Sequence, residues 1–203
     1  MNYSNAWLIQ QIITGETPSY TCFLSDRCMQ NADWDTNCLN ENYYAPFKVE
    51  GIVYNTVQHW LMAQKAALFY DAITMEKIIA CKTAAHAKLL GSQIKQVDED
   101  VWLANAYALV VKGNVHKFAQ HGTLKQKLIH SKNSIIVAIT PNDCLWGNGM
   151  NHQPNQPFNP MKWKGANLLG YALMDVRDIL LAEKEWVHHL STNKVSQFLS
   201  IAQ

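Results

Sequence analysis

The stretch Thr56-Val57-Gln58-His59-Trp60-Leu61-Met62-Ala63-Gln64-Lys65-Ala66-Ala67-Leu68-Phe69-Tyr70-Asp71 reads as one helix around which the chain is organised. Thr56 is a ready N-cap, since its hydroxyl accepts from a free backbone N–H of the first turn. Val57, Trp60, Leu61 and Leu68 recur at helical spacing and form a buried stripe. Gln58, Met62 and Lys65 follow at i, i+4 and i+7, on a second line of the same rod. An amide and a long cation are therefore fixed beside apolar neighbours. Spacing alone also allows a plain reading, in which Lys65 is a surface lysine and Gln58 belongs to the capping region.

Upstream, Phe47-Lys48-Val49 and Ile52-Val53-Tyr54 alternate around Glu50-Gly51, which predicts a short hairpin feeding the helix. The aromatic run from Cys38 to Phe47 suggests a pocket wall, and core packing explains it equally. Residues 12 to 37 read as irregular, with Phe23 and Trp34 as anchors. Downstream, helices are expected over Met75 to Cys81 and Thr83 to Ile94, and from Glu99 to about Val111 behind an Asp98 cap. Gly113-Asn114 is expected to break or bend the chain before a segment from Val115 to Gln120. A short helix follows over Leu124 to His130, and Ser134 to Ile139 is a buried strand. The loop Thr140 to Gly149 comes next, in a place where a rigid strand aims reactive groups. Residues 150 to 160 read as a lid. A long helix opens near Gly165 and reaches about Ala182, and Trp186 to Gln203 reads as an added helix. The expected fold is α+β and mainly helical. One compact domain over residues 20–182 carries a few short strands, between an N-terminal extension (1–19) and a C-terminal helical extension (183–203).

Apolar residues make up 48% of the 203 and charged residues 16%, enough apolar material for a substantial core. The net charge of +1 argues against a broad nucleic-acid surface. The five cysteines are odd in number and contain no C-x-x-C pair, so free thiols are expected and no metal site. No signal peptide and no membrane span is read, and a cytoplasmic protein without a cofactor is expected.

Four segments occur in a telling order. They are the central helix with Lys65, then Gly113-Asn114…Lys117-Phe118…Gln120, then Pro141…Asp143…Trp146-Gly147…Gly149, and last Trp163…Gly165…Asn167-Leu168-Leu169-Gly170…Leu173-Met174…Val176-Arg177. Together they resemble the YbiA-like, or NADAR, family over about residues 20 to 182. The resemblance implies hydrolysis of N-glycosidic bonds in phosphorylated ribosides, such as early riboflavin-pathway intermediates, or in ADP-ribose attached to guanine. It implies that Lys65 attacks the ribose anomeric carbon, giving a Schiff base, and that Asp143 and the following Trp146-Gly147 line the same pocket.

The chemistry is coherent. Breaking a C1′–N bond builds oxocarbenium character, which a carboxylate stabilises, and the leaving base needs an acid. A buried amine captures C1′ covalently. Candidate catalytic residues are therefore Lys65, Asp143, Gln58 and Glu41. Candidate substrate-binding residues are Tyr43, Trp102, Lys117, Gln120, Trp146, Gly147 and Asn167. Plain readings stand beside them: Asp143 as a turn residue after Pro141, the two tryptophans as core, and Asn167 as a helix cap.

Compared with the family pattern, charge is missing. Gln58 and Ala138 stand where glutamate is usual, and Ser92, Ala106 and Cys144 where arginine is usual. Asn40-Glu41-Asn42 replaces a Ser-Asn or Ser-Gln pair, so Glu41 is a new carboxylate. Three functions remain open: a glycosidase with altered substrate, a degenerate member that binds a nucleotide or ADP-ribose, and an interaction protein that captures a protein partner through residues 183–203.

Overall fold

The computed structural model describes residues 1–25, 36–151 and 159–183. The expected anchor Trp34, most of the expected lid and the C-terminal helix from Trp186 lie outside the described residues. Helix α1 (Asn5–Ile13) is followed by strand β1 (Tyr20–Leu24) and the hairpin β2 (Phe47–Val49) and β3 (Ile52–Tyr54). Helices α2 (Val57–Leu68), α3 (Ala72–Ala80), α4 (Ala84–Gly91), α5 (Glu99–Gln120) and α6 (Gly122–His130) come next. Strand β4 (Ile135–Ile139) and a helix α7 over residues 168–183 complete the domain. The fold is α+β and mainly helical, as the sequence predicts.

Local chemistry sets the helix starts. Thr56, Asp71, Thr83 and Asp98 each accept a backbone N–H with the side chain, opening α2, α3, α4 and α5 in turn. Glu50 and Gly51 both have positive φ (49° and 88°), the turn geometry that a two-residue hairpin requires.

Helix α2 is buried on nearly every side because it lies between two cores. Val57, Trp60, Ala63 and Ala66 pack with Phe47, Tyr54 and Ile78. Leu61 turns the other way, towards Trp102, Val110, Phe118, β4 and α7, and Met62 packs against both cores.

Two expectations are corrected. Helix α5 runs unbroken through Gly113-Asn114. Gly113 is there for closeness rather than bending, since a methyl group on it would overlap the indole of Trp60. Residues 12–37 are not wholly irregular: α1 ends at Ile13 and β1 pairs in parallel with β4, from Tyr20↔Ile135 to Leu24↔Ile139. Apart from these two, residues of the N-terminal extension touch the domain. Leu8 is fully buried, Asn5 Nδ2 donates to the Gly165 carbonyl, and Tyr171 Oη donates to Asn5 Oδ1.

β4 is buried along its whole length. Its edge away from β1 is closed by a side chain. Asn167 Oδ1 accepts from Ala138 N and Asn167 Nδ2 donates to the Ile136 carbonyl, both at 2.9 Å. Buried backbone polar groups need such partners. No helix among the described residues is long and apolar enough to cross a membrane.

Candidate active site

A cleft of about 240 Å³ opens beside α2. Gln58, Leu61, Met62 and Lys65 line it from that helix, which is the second line that the spacing predicts. α4 contributes Lys88 and Gly91, with Ser92 just beyond, and α5 contributes Trp102 and Val110. Glu41 enters from the loop before β2, and Asp143 and Trp146 enter from the loop after β4. Six sequence-predicted residues thus meet at one place: Lys65, Asp143, Gln58, Glu41, Trp102 and Trp146.

Lys65 Nζ lies 5.1 Å from the centroid of the Trp102 ring, within cation–π reach. The indole therefore holds the amine at the cleft wall. Trp102 is itself 8% exposed, so its ring serves the core and the cleft together.

Asp143 serves both of its readings. Its Oδ1 accepts from Leu145 N at 2.9 Å and Trp146 N at 2.8 Å, which shapes the turn. The same residue lines the cleft. The turn is latched by the segment entering α7. Ala166 N donates to the Cys144 carbonyl, Asn167 N to that of Gly147, and Leu169 N to that of Trp146. This approach of backbone to backbone needs glycine, because a methyl group on Gly165 would overlap the Gly147 carbonyl. Gly147 is therefore a packing residue: it is buried, and its absent side chain leaves room for Thr140.

Glu41 is held by backbone as well, since Gln58 N donates to its carbonyl at 3.0 Å. Its carboxyl is deep. Among the described residues Oε2 is buried without a hydrogen-bond partner, and Oε1 receives a long 3.5 Å contact from Ser25 Oγ. Burial pushes this carboxyl above the ordinary carboxylate range. Its own backbone N–H, Lys88 and Lys117 pull the other way, and Asp143 adds to the rise.

The remaining candidates lie outside the cleft lining. Gln120 is spent on β2: its Oε1 accepts from Lys48 N at 2.9 Å and its Nε2 donates to the Lys48 carbonyl at 3.0 Å. The Asn167 side chain is spent on β4, while its carbonyl accepts from Tyr171 N in the first turn of α7. Lys117 is fully buried and donates to the Asn40 carbonyl at 3.1 Å, with Tyr43 and Phe118 rings around its ammonium. Lys117 and Tyr43 therefore support the loop that carries Glu41.

Among the described residues no group of three or more His, Cys, Asp or Glu is placed to hold a metal. Burial raises the Cys22 thiol to about 12, which makes it a poor nucleophile.

A family model described as the NADAR domain matches residues 19–181. The chain belongs to the NADAR family. Among its relatives is a protein of Acanthamoeba polyphaga mimivirus named as an N-glycosidase, 34% identical over 62% of this chain and 74% of that one. N-glycosidase YbiA of Escherichia coli is 30% identical over 68% of this chain and 78% of its own. The NMR structure of the E. coli protein YbiA superposes with a TM-score of 0.66 at 27% identity, covering 83% of this chain and 89% of that one.

Within this NADAR domain, the charge departures fall unevenly. Gln58 and Ser92 line the cleft, whereas Ala106 and Ala138 are buried in the core and Cys144 is exposed. Lys88 is a cleft cation that the sequence reading overlooked. The available signal was its place one turn before Ser92, on the same face of α4.

Proposed function

We propose that this chain is an N-glycosidase that cleaves the C1′–N bond of a 5-phosphorylated riboside, with Lys65 as the nucleophile. One observation carries the reading: Lys65, Asp143 and Glu41 line the same cleft as Trp102 and Trp146. An amine, two carboxyl groups and two indoles are the parts this reaction uses. The indoles stack on the base and ribose, the amine bonds to C1′, and a carboxylate opposes the positive charge that grows on the sugar. Lys88 at the rim supplies a cation for the phosphate. The relatives named N-glycosidases support the reaction class. Substrate classes that fit are a phosphoribosylamino-pyrimidine of the riboflavin pathway and ADP-ribose on guanine.

The test is borohydride trapping. The chain is incubated with a phosphorylated ribosylamine or with ADP-ribosylated guanosine, reduced, digested and mapped. An adduct on the Lys65 peptide, absent in Lys65→Ala, is the expected result. An adduct elsewhere, or turnover unchanged in Lys65→Ala, overturns the nucleophile.

A second reading is favoured by Gln58, an amide on the cleft wall where family members usually carry a carboxylate. On this reading the chain binds ADP-ribose without cleaving it. Calorimetry with ADP-ribose beside a sensitive glycosidase assay separates the two.

A further inference from the structure

We propose that Glu41, which lines the cleft and whose carboxyl is buried, is the proton donor to the departing base. This role rests on the glycosidase reading above. Three observations lead to it. The first is the orphan itself: Oε2 is buried with no hydrogen-bond partner among the described residues. A buried polar atom left unsatisfied is costly, so it marks a group awaiting a partner. The second is position, because Glu41 shares the cleft with Lys65 and Asp143. The third is fixation. The Glu41 carbonyl is bonded to Gln58 N in the first turn of α2, and the preceding carbonyl, of Asn40, is bonded to Lys117 Nζ. The Asn40 side chain adds bonds from its Nδ2 to the Leu24 and Ser25 carbonyls.

The two carboxyl groups have opposite surroundings. Asp143 Oδ1 accepts two backbone N–H bonds, from Leu145 and Trp146. Glu41 has burial without such bonds on Oε2 and is raised by it. The two carboxyls thus differ in their bonding: Asp143 is tied into its turn by two N–H donors, whereas Glu41 Oε2 has no such donor among the described residues.

The step balances as follows. The C1′–N bond breaks and its electron pair stays on the leaving nitrogen, which takes the Glu41 proton. Lys65 Nζ, having already released a proton to solvent, forms the new bond to C1′. Glu41 is left as a carboxylate with Lys88 and Lys117 near it. Water that hydrolyses the Lys65 adduct returns a proton to Glu41.

The test compares two probes on the full chain. One is a 5-phosphoribosylamino-pyrimidine, whose amine leaves only when protonated. The other is 4-nitrophenyl riboside 5-phosphate, whose phenolate leaves without a proton. Glu41→Gln is expected to lose about 100-fold or more in kcat on the first. It should lose far less on the second, and Lys65→Ala should lose heavily on both. The wild-type rate on the aminopyrimidine should fall as pH rises through the raised Glu41 titration, which Lys88, Lys117 and Asp143 face. That limb should be missing with the nitrophenyl probe. Infrared difference spectra add a readout independent of turnover, a neutral carboxyl band that persists above the ordinary carboxylate range and is lost in Glu41→Gln. Equal losses of Glu41→Gln on both probes, with wild type active on each, overturn the donor role alone. If wild type cleaves neither probe and traps no adduct, the glycosidase reading fails and the donor falls with it.

Discussion

The backbone N–H of Gln58 donates to the carbonyl of Glu41 at 3.0 Å, so this cleft glutamate is tied to the first turn of the helix that carries Lys65. Their side chains share one wall, one ionisable and one neutral. Charge that leaves position 58 therefore has a neighbouring position at which to reappear, on a loop fixed to the same turn.

A pH dependence of stability follows. Burial raises the Glu41 carboxyl in the folded chain above its unfolded value, so the folded state holds the proton more tightly. Stability is then fully present below the unfolded value near 4.5 and is lost as pH rises through the folded one. Glu41→Gln removes this loss. Its denaturation midpoint should exceed that of wild type at pH 8 and converge with it below pH 4.5. Gln58→Glu does the opposite, because Gln58 is 5% exposed and a second buried carboxyl adjoins the first. It should lower the midpoint more at pH 8 than at pH 5. Urea titrations of the three proteins across pH decide both.

Trp102 offers a second measurement. Its ring holds the Lys65 ammonium at 5.1 Å and lines the cleft. Trp102→Phe keeps an aromatic face, whereas Trp102→Ala removes it. Loss of a stacked base costs about 1–3 kcal/mol. Calorimetry with ADP-ribose should therefore show Trp102→Ala weakened by about tenfold or more, with Trp102→Phe between it and wild type. Equal affinity in all three would place the ligand elsewhere.

Asn167 tests the scaffold. Its amide pairs with Ala138 N and the Ile136 carbonyl on the buried edge of β4. Asn167→Ala leaves both backbone groups unsatisfied, at about 1–3 kcal/mol each. Asn167→Asp keeps the acceptor but loses the donor, and brings a buried charge. Both should unfold at lower denaturant, and neither should be rescued by ligand to the wild-type midpoint.

What was legible follows from where the signal lies. Thr56, Asp71, Thr83 and Asp98 cap helices through bonds within three residues, so local sequence reveals them. The continuous apolar run of β4 announces a buried strand by itself. β1 does not: its partner residues lie about 115 positions away, and Tyr20 to Leu24 carry no alternation. The amides show the same limit in the site. Asn167 and Gln120 look like ligand-binding residues because an amide is chemically versatile, yet each closes a strand edge. Only the strand's neighbours in space reveal that use. Lys88 was missed for the converse reason, since on α4 it looks like an ordinary exposed cation.

Two glycines separate stability from function. Gly113 faces the indole of Trp60, and a methyl group there would overlap a rigid ring. That ring is itself pinned, because Trp60 Nε1 donates to the Leu109 carbonyl at 3.0 Å. Gly113→Ala must therefore shift backbone, and overpacking of this kind costs about 1–3 kcal/mol. Gly91 faces the thioether of Met62 instead, and the overlap there is with Sδ and Cγ of a flexible side chain. Met62 can move, and it lines the cleft. Gly91→Ala should leave the denaturation midpoint near wild type while weakening ADP-ribose binding or raising KM. Gly113→Ala should do the reverse, and paired urea titrations and ligand isotherms on the two variants show which glycine guards which property.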